Sequence, residues 1–161
     1  MPSIKRIVMN LDTYVAMVAF CIMQACVFLQ VFTRYVFNLP LSWPEEVARY
    51  ALVWLTFLGA SAAVRANDHI RIDVLLMKVP PKVRSLLIVL TNVCAAVILI
   101  AVTPAGFGLV RLMMGIPTAA LQVSMSWVYL PVPLSFLLMI AQLTTNSISE
   151  VSALRNARRR E

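Results

Sequence analysis

Charged residues are distributed very unevenly along this chain of 161 residues. Three stretches contain no Asp, Glu, Lys or Arg at all: residues 13–33, 85–110 and 112–149, which are 21, 26 and 38 residues long. A helix crosses the hydrocarbon core of a bilayer in about 20 residues, so uncharged runs of this length are typical of membrane-spanning helices. Hydrophobic residues make up 61% of the chain and charged residues 13%, which is too few to cover a water-soluble domain.

The uncharged runs predict an all-α membrane protein with four transmembrane helices in a single domain, 1–161. The second helix includes its flanking charges, because only 15 uncharged residues separate Arg49 from Arg65. The 38-residue run is too long for one helix and too short for two, and glycine and prolines interrupt its first half. We therefore expect a short non-spanning stretch before the last helix. The predicted spans are about 11–33, 45–65, 85–110 and 126–149.

The first predicted span also has features of a secretory signal peptide, because Lys5 and Arg6 precede its apolar run. That run is longer than the usual apolar region of about 7–15 residues, and no small-x-small cleavage site follows it. We expect it to be retained as a transmembrane helix.

The cations predict the orientation of the four spans. With four spans, one side of the membrane carries eleven Lys and Arg residues and the other side carries only three, Arg34, Arg49 and Arg111. The positive-inside rule then places both termini in the cytoplasm, with residues 150–161 as a basic cytoplasmic tail. The net charge of +7 is therefore a topology signal, and nucleic acid is not expected as a partner.

The segment 69–84 between spans two and three has apolar residues at helical spacing. This pattern predicts a short amphipathic helix in the cytoplasmic interface, with its cations toward anionic lipids. An irregular linker is the alternative. The residues predicted to lie at the lipid interface are the cations Arg71, Lys78, Lys82 and Arg84 and, at the start of span four, Trp127.

An acidic pair opens the second span. Glu45 and Glu46 follow Pro44, and Arg49 lies one helical turn further on, beside both carboxylates. One interpretation is a capped helix end that is paired within itself. The other is a polar anchor that contacts a partner protein at the extracytoplasmic edge.

Small and polar residues within the spans indicate helix–helix contacts. Gly59 and Ala63 form a small-xxx-small pair in span two, which permits close backbone approach to a neighbouring helix. Gln24, Asn92 and Gln142 are single polar residues in spans one, three and four, and each is expected to form an interhelical hydrogen bond.

The sequence contains no recognisable reaction centre. Its one histidine, His69, excludes paired axial ligation of haem, and its three cysteines lie within apolar runs without a Cys-x-x-Cys pair. No cofactor, metal site or enzymatic activity is expected. Two classes compete with a partner-dependent subunit. A self-sufficient homodimeric transporter would need a carboxylate inside span one, where Asp12 lies only at the start, and an enzyme or respiratory anchor would need reactive cysteines or more histidines.

Three segments of the chain resemble a known family: Ser42–Tyr50, Trp54–Ala60 and Arg65–Asp73. They are similar to the small (Q-type) membrane subunit of tripartite ATP-independent periplasmic (TRAP) transporters. The resemblance implies a scaffold subunit of a sodium-coupled importer of carboxylate-type solutes. Its implied partners are a large membrane transport subunit, which carries the substrate and sodium sites, and a periplasmic substrate-binding protein.

The same resemblance implies that two clusters are interface or structural residues, one at each end of span two. The cluster at the extracytoplasmic end comprises Trp43, Glu45, Glu46 and Arg49, and the cluster at the cytoplasmic exit comprises Arg65, Asp68, His69 and Asp73. Trp54, Gly59 and Ala63, which lie between the two clusters in span two, complete the predicted interface or structural residues.

Overall fold

A computed structural model describes residues 11–65 and 81–158. These residues form four long helices and one short one, which we number in chain order: α1 (Leu11–Val36), α2 (Trp43–Arg65), α3 (Pro81–Leu112), α4 (Ser126–Tyr129) and α5 (Pro131–Arg158). No named strand occurs in either described range. Four segments are long and apolar enough to cross a membrane: α1, α2, residues 83–112 of α3, and residues 126–150, which comprise α4 and most of α5. The predicted all-α class with four spanning helices is confirmed.

Local sequence explains where these helices begin and end. α1 ends at Val36, and Asn38, two residues later, adopts the left-handed region (φ 52°). The Leu39 N–H then donates to the Thr33 carbonyl at 3.1 Å, which closes the last turn. α2 starts at Trp43 with Pro44 in its first turn, where a missing N–H costs nothing. α3 likewise begins at a proline, Pro81.

Some helices extend beyond the predicted spans. α1 continues to Val36, and α5 continues to Arg158, so part of the basic tail is helical. Residues 81–84, placed in the predicted interfacial segment, belong to α3. The rest of the helix predicted at 69–84 lies outside the described residues.

The helices pack in a row rather than in a closed bundle. α1 packs on α2, α2 on α5, and α5 on α3. Over an 18-residue apolar stretch of each segment, 28% of the residues are buried in α2 and 39% in the α4–α5 segment, against 17% in α1 and 11% in α3. α2 and α5 are therefore the inner helices, and α1 and α3 leave broad apolar faces exposed.

Gly106 on α3 lies close to Pro133 of α5. A Cβ added to Gly106 would lie 3.4 Å from the Pro133 Cβ, in van der Waals contact with it. At Gly59, by contrast, an added Cβ would meet nothing within 4 Å. The small-residue pair predicted in span two therefore does not give close packing within this chain at Gly59.

Candidate functional site

The most buried charged groups of the described chain lie at opposite ends of α2. At its C-terminal end, Arg65 forms an ion pair with Asp12, the second residue of α1. The Asp12 side chain is only 3% exposed, and that of Arg65 is 23% exposed. Arg65 also donates to the Thr13 hydroxyl, so one guanidinium spans the first turn of α1.

Two further polar side chains donate hydrogen bonds to the Asp12 carboxylate. Ser61 Oγ of α2 donates to Asp12 Oδ2 at 3.2 Å, and Gln142 Nε2 of α5 donates to the same oxygen at 3.3 Å. Gln142 is also hydrogen bonded to Ser61 at 3.3 Å. We call Asp12, Ser61, Arg65 and Gln142 the Asp12 cluster. It joins α1, α2 and α5 by side chains alone.

Helix geometry explains why these residues meet. Ser61 and Arg65 are one turn apart on α2, so both face the same side, and antiparallel packing brings the start of α1 beside the end of α2. Next to the cluster, Asn146 Nδ2 of α5 donates to the Val64 carbonyl at 3.1 Å. This end of the three-helix contact is therefore held by hydrogen bonds, as is usual for polar groups between helices in lipid.

The N-terminal end of α2 carries a second buried carboxylate, Glu46, which is 6% exposed. Its Oε2 accepts the backbone N–H groups of Ala120 at 2.6 Å and Leu121 at 3.1 Å, and its Oε1 accepts the hydroxyl of Tyr50. We call Glu46, Tyr50, Ala120 and Leu121 the Glu46 clasp. It ties the connection between α3 and α4 to the start of α2.

The neighbouring carboxylate, Glu45, points to different partners. Its Oε1 forms an exposed ion pair with Arg49 at 3.1 Å, and Gln30 Nε2 of α1 donates to its Oε2 at 3.3 Å. Arg49 was expected beside both carboxylates, but Glu46 is held by Tyr50 and the backbone of residues 120–121. The pair is thus split between an exposed face and a buried face of the same helix turn.

The predicted polar residues of spans one, three and four differ in whether they form interhelical hydrogen bonds. Gln142 makes the expected interhelical bonds in the Asp12 cluster. Gln24 is exposed, and Asn92 Nδ2 is buried without a hydrogen-bond partner, so neither side chain makes the expected bond within the described ranges. The pairing of Asp12 with Arg65 was not predicted; Asp12 was considered only as the carboxylate that a self-sufficient transporter would need.

The remaining predicted site residues lie apart from the two clusters or outside the described ranges. Trp43 and Trp127 are exposed, whereas Trp54 and Ala63 are half-buried on α2. Arg84 is exposed near the start of α3, and Lys82 is the second residue of that helix. The predicted residues that lie outside the described ranges are Asp68, His69, Arg71, Asp73 and Lys78.

No group of three or more His, Cys, Asp or Glu side chains suited to a metal ion occurs among residues 11–65 and 81–158. The clusters at the two ends of α2 each hold a single carboxylate whose oxygens accept hydrogen bonds from this chain. The Asp12 cluster therefore attaches α1, α2 and α5 to one another, and the Glu46 clasp attaches the connection between α3 and α4 to α2.

Comparison with known proteins identifies the family. The model of the family "Tripartite ATP-independent periplasmic transporters, DctQ component" matches residues 23–153. The sialic acid TRAP transporter small permease protein SiaQ of Vibrio cholerae is 23% identical over 137 residues, which cover 85% of this chain and 79% of SiaQ.

Two further relatives match over shorter stretches. A Haemophilus influenzae protein named as a TRAP transporter small permease protein is 42% identical over 71 residues, 44% of each chain. The isethionate TRAP transporter permease protein DctMQ of Oleidesulfovibrio alaskensis is 26% identical over 111 residues, which cover 68% of this chain but 18% of DctMQ. The match thus spans less than half of the length of these two relatives.

The matched region contains α2, α3, α4, most of α1 and most of α5, and therefore most of the membrane-spanning structure. This chain belongs to the DctQ family of TRAP transporter small permease subunits, which are multi-pass proteins of the bacterial inner membrane.

Proposed function

We propose that this chain is the scaffold subunit of a sodium-coupled TRAP importer of carboxylate-type solutes. In this proposal a larger membrane subunit transports the substrate, and a periplasmic binding protein delivers it. The small subunit supports the large one in the bilayer, contributes to docking of the binding protein, and catalyses no reaction itself.

The observation that carries the proposal is that both buried carboxylates are bonded within this chain. Asp12 and Glu46 are both engaged within the chain, one by Arg65 and the other by backbone N–H groups. At the same time the outer helices expose large apolar side chains, such as Phe28 on α1 and Ile98 on α3. A subunit that is internally fixed and apolar on its outer faces is suited to hold another membrane protein.

The relatives support the identity of the partner and the solute class. DctMQ is a single permease chain in which the region similar to this chain is only 18% of the length, so a small unit is joined there to a much larger one. SiaQ is named for sialic acid, which is a carboxylate, and DctMQ for isethionate, which is a sulfonate, so both relatives support an anionic solute and SiaQ supports the carboxylate class. By analogy this chain would associate non-covalently with a separate large subunit.

The cation distribution supports the proposed orientation. The Asp12 cluster lies on the side that carries eleven Lys and Arg residues, and the Glu46 clasp lies on the side that carries three. In this orientation the clasp faces the periplasm, where a binding protein would dock. The tail and the 69–84 segment would contact anionic lipids in the cytoplasmic leaflet.

The test is purification of the tagged chain from native membranes, followed by reconstitution. A stoichiometric, larger polytopic partner is expected, and uptake should require sodium, that partner and the binding protein together. The control is the large subunit reconstituted without this chain. Recovery of this chain only as a homodimer, with uptake of its own, would contradict the proposal.

A homodimeric transporter is the second candidate, because Asp12 is a buried carboxylate within a spanning helix. Its two oxygens are, however, engaged by Arg65, Ser61 and Gln142. This candidate predicts that Asp12→Asn abolishes uptake by the chain alone. The scaffold proposal predicts that there is no such uptake to abolish.

A further inference from the structure

The connection between α3 and α4, residues 113–125, folds back on itself. The Thr118 N–H donates to the Val123 carbonyl at 2.8 Å, and the Met125 N–H donates to the Ile116 carbonyl at 2.9 Å. Gly115 supplies the left-handed turn (φ 83°) that lets the chain leave α3. We call this segment the 113–125 hairpin.

The hairpin is attached to the start of α2. Glu46 accepts the Ala120 and Leu121 N–H groups at its tip, and Thr118 within the hairpin is 1% exposed. Most of its backbone N–H groups thus donate to acceptors within the chain. A segment fixed in this way presents its outer side chains in a constant arrangement.

The exposed side chains of the hairpin are mainly apolar, although it lies at the end of two spans. The segment contains no charged residue. Its exposed large apolar side chains are Met114, Ile116, Leu121 and Val123, and Gln122 is its one exposed polar side chain. A loop in water is normally polar, so four exposed large apolar side chains in 13 residues indicate another environment.

Two flanking residues indicate that this environment is lipid. Arg111 lies in the last turn of α3, just before the hairpin, and Trp127, which is 62% exposed, follows it on α4. Trp is enriched at the headgroup level of a bilayer, and Arg near a helix end extends its charged group to that level. The adjoining spans also expose apolar residues near the hairpin in sequence, Leu112 at the end of α3 and Leu134 in the first turn of α5.

We propose that the 113–125 hairpin inserts its apolar side into the extracytoplasmic headgroup–acyl boundary. It acts there as an interfacial anchor, and the Glu46 clasp fixes its depth relative to α2. The anchor sets the vertical position of the chain on this side of the membrane. This inference does not depend on the substrate or on the coupling ion of the proposed function.

The experiment is spin-label accessibility on the full chain, together with any subunits that co-purify with it, in lipid nanodiscs. Cys21, Cys26 and Cys94 are replaced by alanine, and single cysteines are introduced at Val123 or Ile116. Oxygen, which concentrates in lipid, is compared with a water-soluble nickel chelate. Val97, exposed on α3, serves as the reference for a site in lipid. Ser42, exposed before α2 on the same side of the membrane as the hairpin, serves as the reference for a site in water.

We expect the oxygen-to-nickel accessibility ratio at both hairpin sites to shift from the Ser42 value toward the Val97 value. Addition of Glu46→Gln should move it back toward Ser42, because the clasp is loosened. A ratio equal to that at Ser42 would overturn the proposal by placing the hairpin in water. Low accessibility to both reagents would also overturn it, because a protein surface would then cover the hairpin.

Discussion

The two ends of α2 bury one carboxylate each, and they do so in different ways. In the Asp12 cluster the negative charge is balanced by a guanidinium and by side chains from three helices. In the Glu46 clasp the carboxylate accepts two backbone N–H groups and a phenol hydroxyl. The first arrangement neutralises a charge, whereas the second uses a charge to satisfy the donors of a turn.

This difference predicts how far the damage from a substitution spreads. Loss of Arg65 leaves a buried charge between helices, so the packing of α1, α2 and α5 should suffer together. Loss of the Glu46 charge affects donors that belong to one hairpin, so the spanning helices should remain assembled. Four substitutions test this contrast, and Arg65→Leu has the largest expected effect.

Arg65→Leu should be the most destabilising change at either end of α2. Removal of one partner of a buried ion pair costs about 3–5 kcal/mol in soluble proteins, because the remaining charge is left unpaired. The measurement is thermal unfolding of the purified chain in detergent, together with the yield of monodisperse protein. The control is the double variant Arg65→Leu with Asp12→Asn, which removes both charges and should recover part of the loss. An equal loss in the single and double variants would contradict the ion-pair explanation.

Glu46→Gln should give a smaller and more local effect. The amide oxygen can still accept the Ala120 and Leu121 N–H groups, with the NH₂ group toward the Tyr50 hydroxyl, but these hydrogen bonds lose their charged acceptor and weaken. We expect faster proteolysis or hydrogen exchange in residues 113–125, with little change in the unfolding of the helices. Glu45→Gln is the matched control, since Glu45 lies one residue away and its hydrogen bonds are made with Gln30 and Arg49. Similar protection of the hairpin in both variants would show that the clasp does not hold it.

The spanning helices could be predicted from sequence because they depend on composition over about 20 consecutive residues. The two clusters could not, because they depend on which helix faces which. Asp12 and Arg65 are 53 residues apart, and Glu46 and Ala120 are 74 residues apart. A signal for the first pair was nevertheless present, since opposite charges at facing ends of consecutive antiparallel spans are expected to meet.

Close packing illustrates the same limit. The small residues of span two attract notice because they are consecutive, yet Gly59 has open space beside it and Gly106 makes the close contact with Pro133. A run of small residues shows that close approach is permitted, but the face that is used depends on the rotation of each helix. That rotation is set by the other contacts of the row, including those of Gln142.

Gln142→Leu tests the part of the Asp12 cluster that reaches α5. It removes the hydrogen bonds to Asp12 and Ser61 but leaves the Asp12–Arg65 ion pair intact. Interhelical hydrogen bonds in membrane proteins contribute about 0.6 kcal/mol on average and at most about 1.7, so the loss of stability should be well below that of Arg65→Leu. The measurement is the same thermal unfolding. Gln24→Leu is the control, because Gln24 is exposed on α1, and no change is expected there.

Glu45→Gln should have the smallest effect on the isolated chain. The Glu45 and Arg49 side chains are 55% and 69% exposed, and exposed ion pairs of this kind contribute about 0–1 kcal/mol. Co-purification of the large subunit and uptake by the whole complex separate the two interpretations of this pair. If Glu45 serves only to complete the end of α2, both measurements should match the wild type. If Glu45 and Arg49 contact another subunit, Glu45→Gln and Arg49→Gln should each lower recovery of the complex while the unfolding of the chain alone is unchanged. The contrast along α2 would then extend to function, because the buried carboxylates would hold this chain together and the exposed one would hold it to its partner.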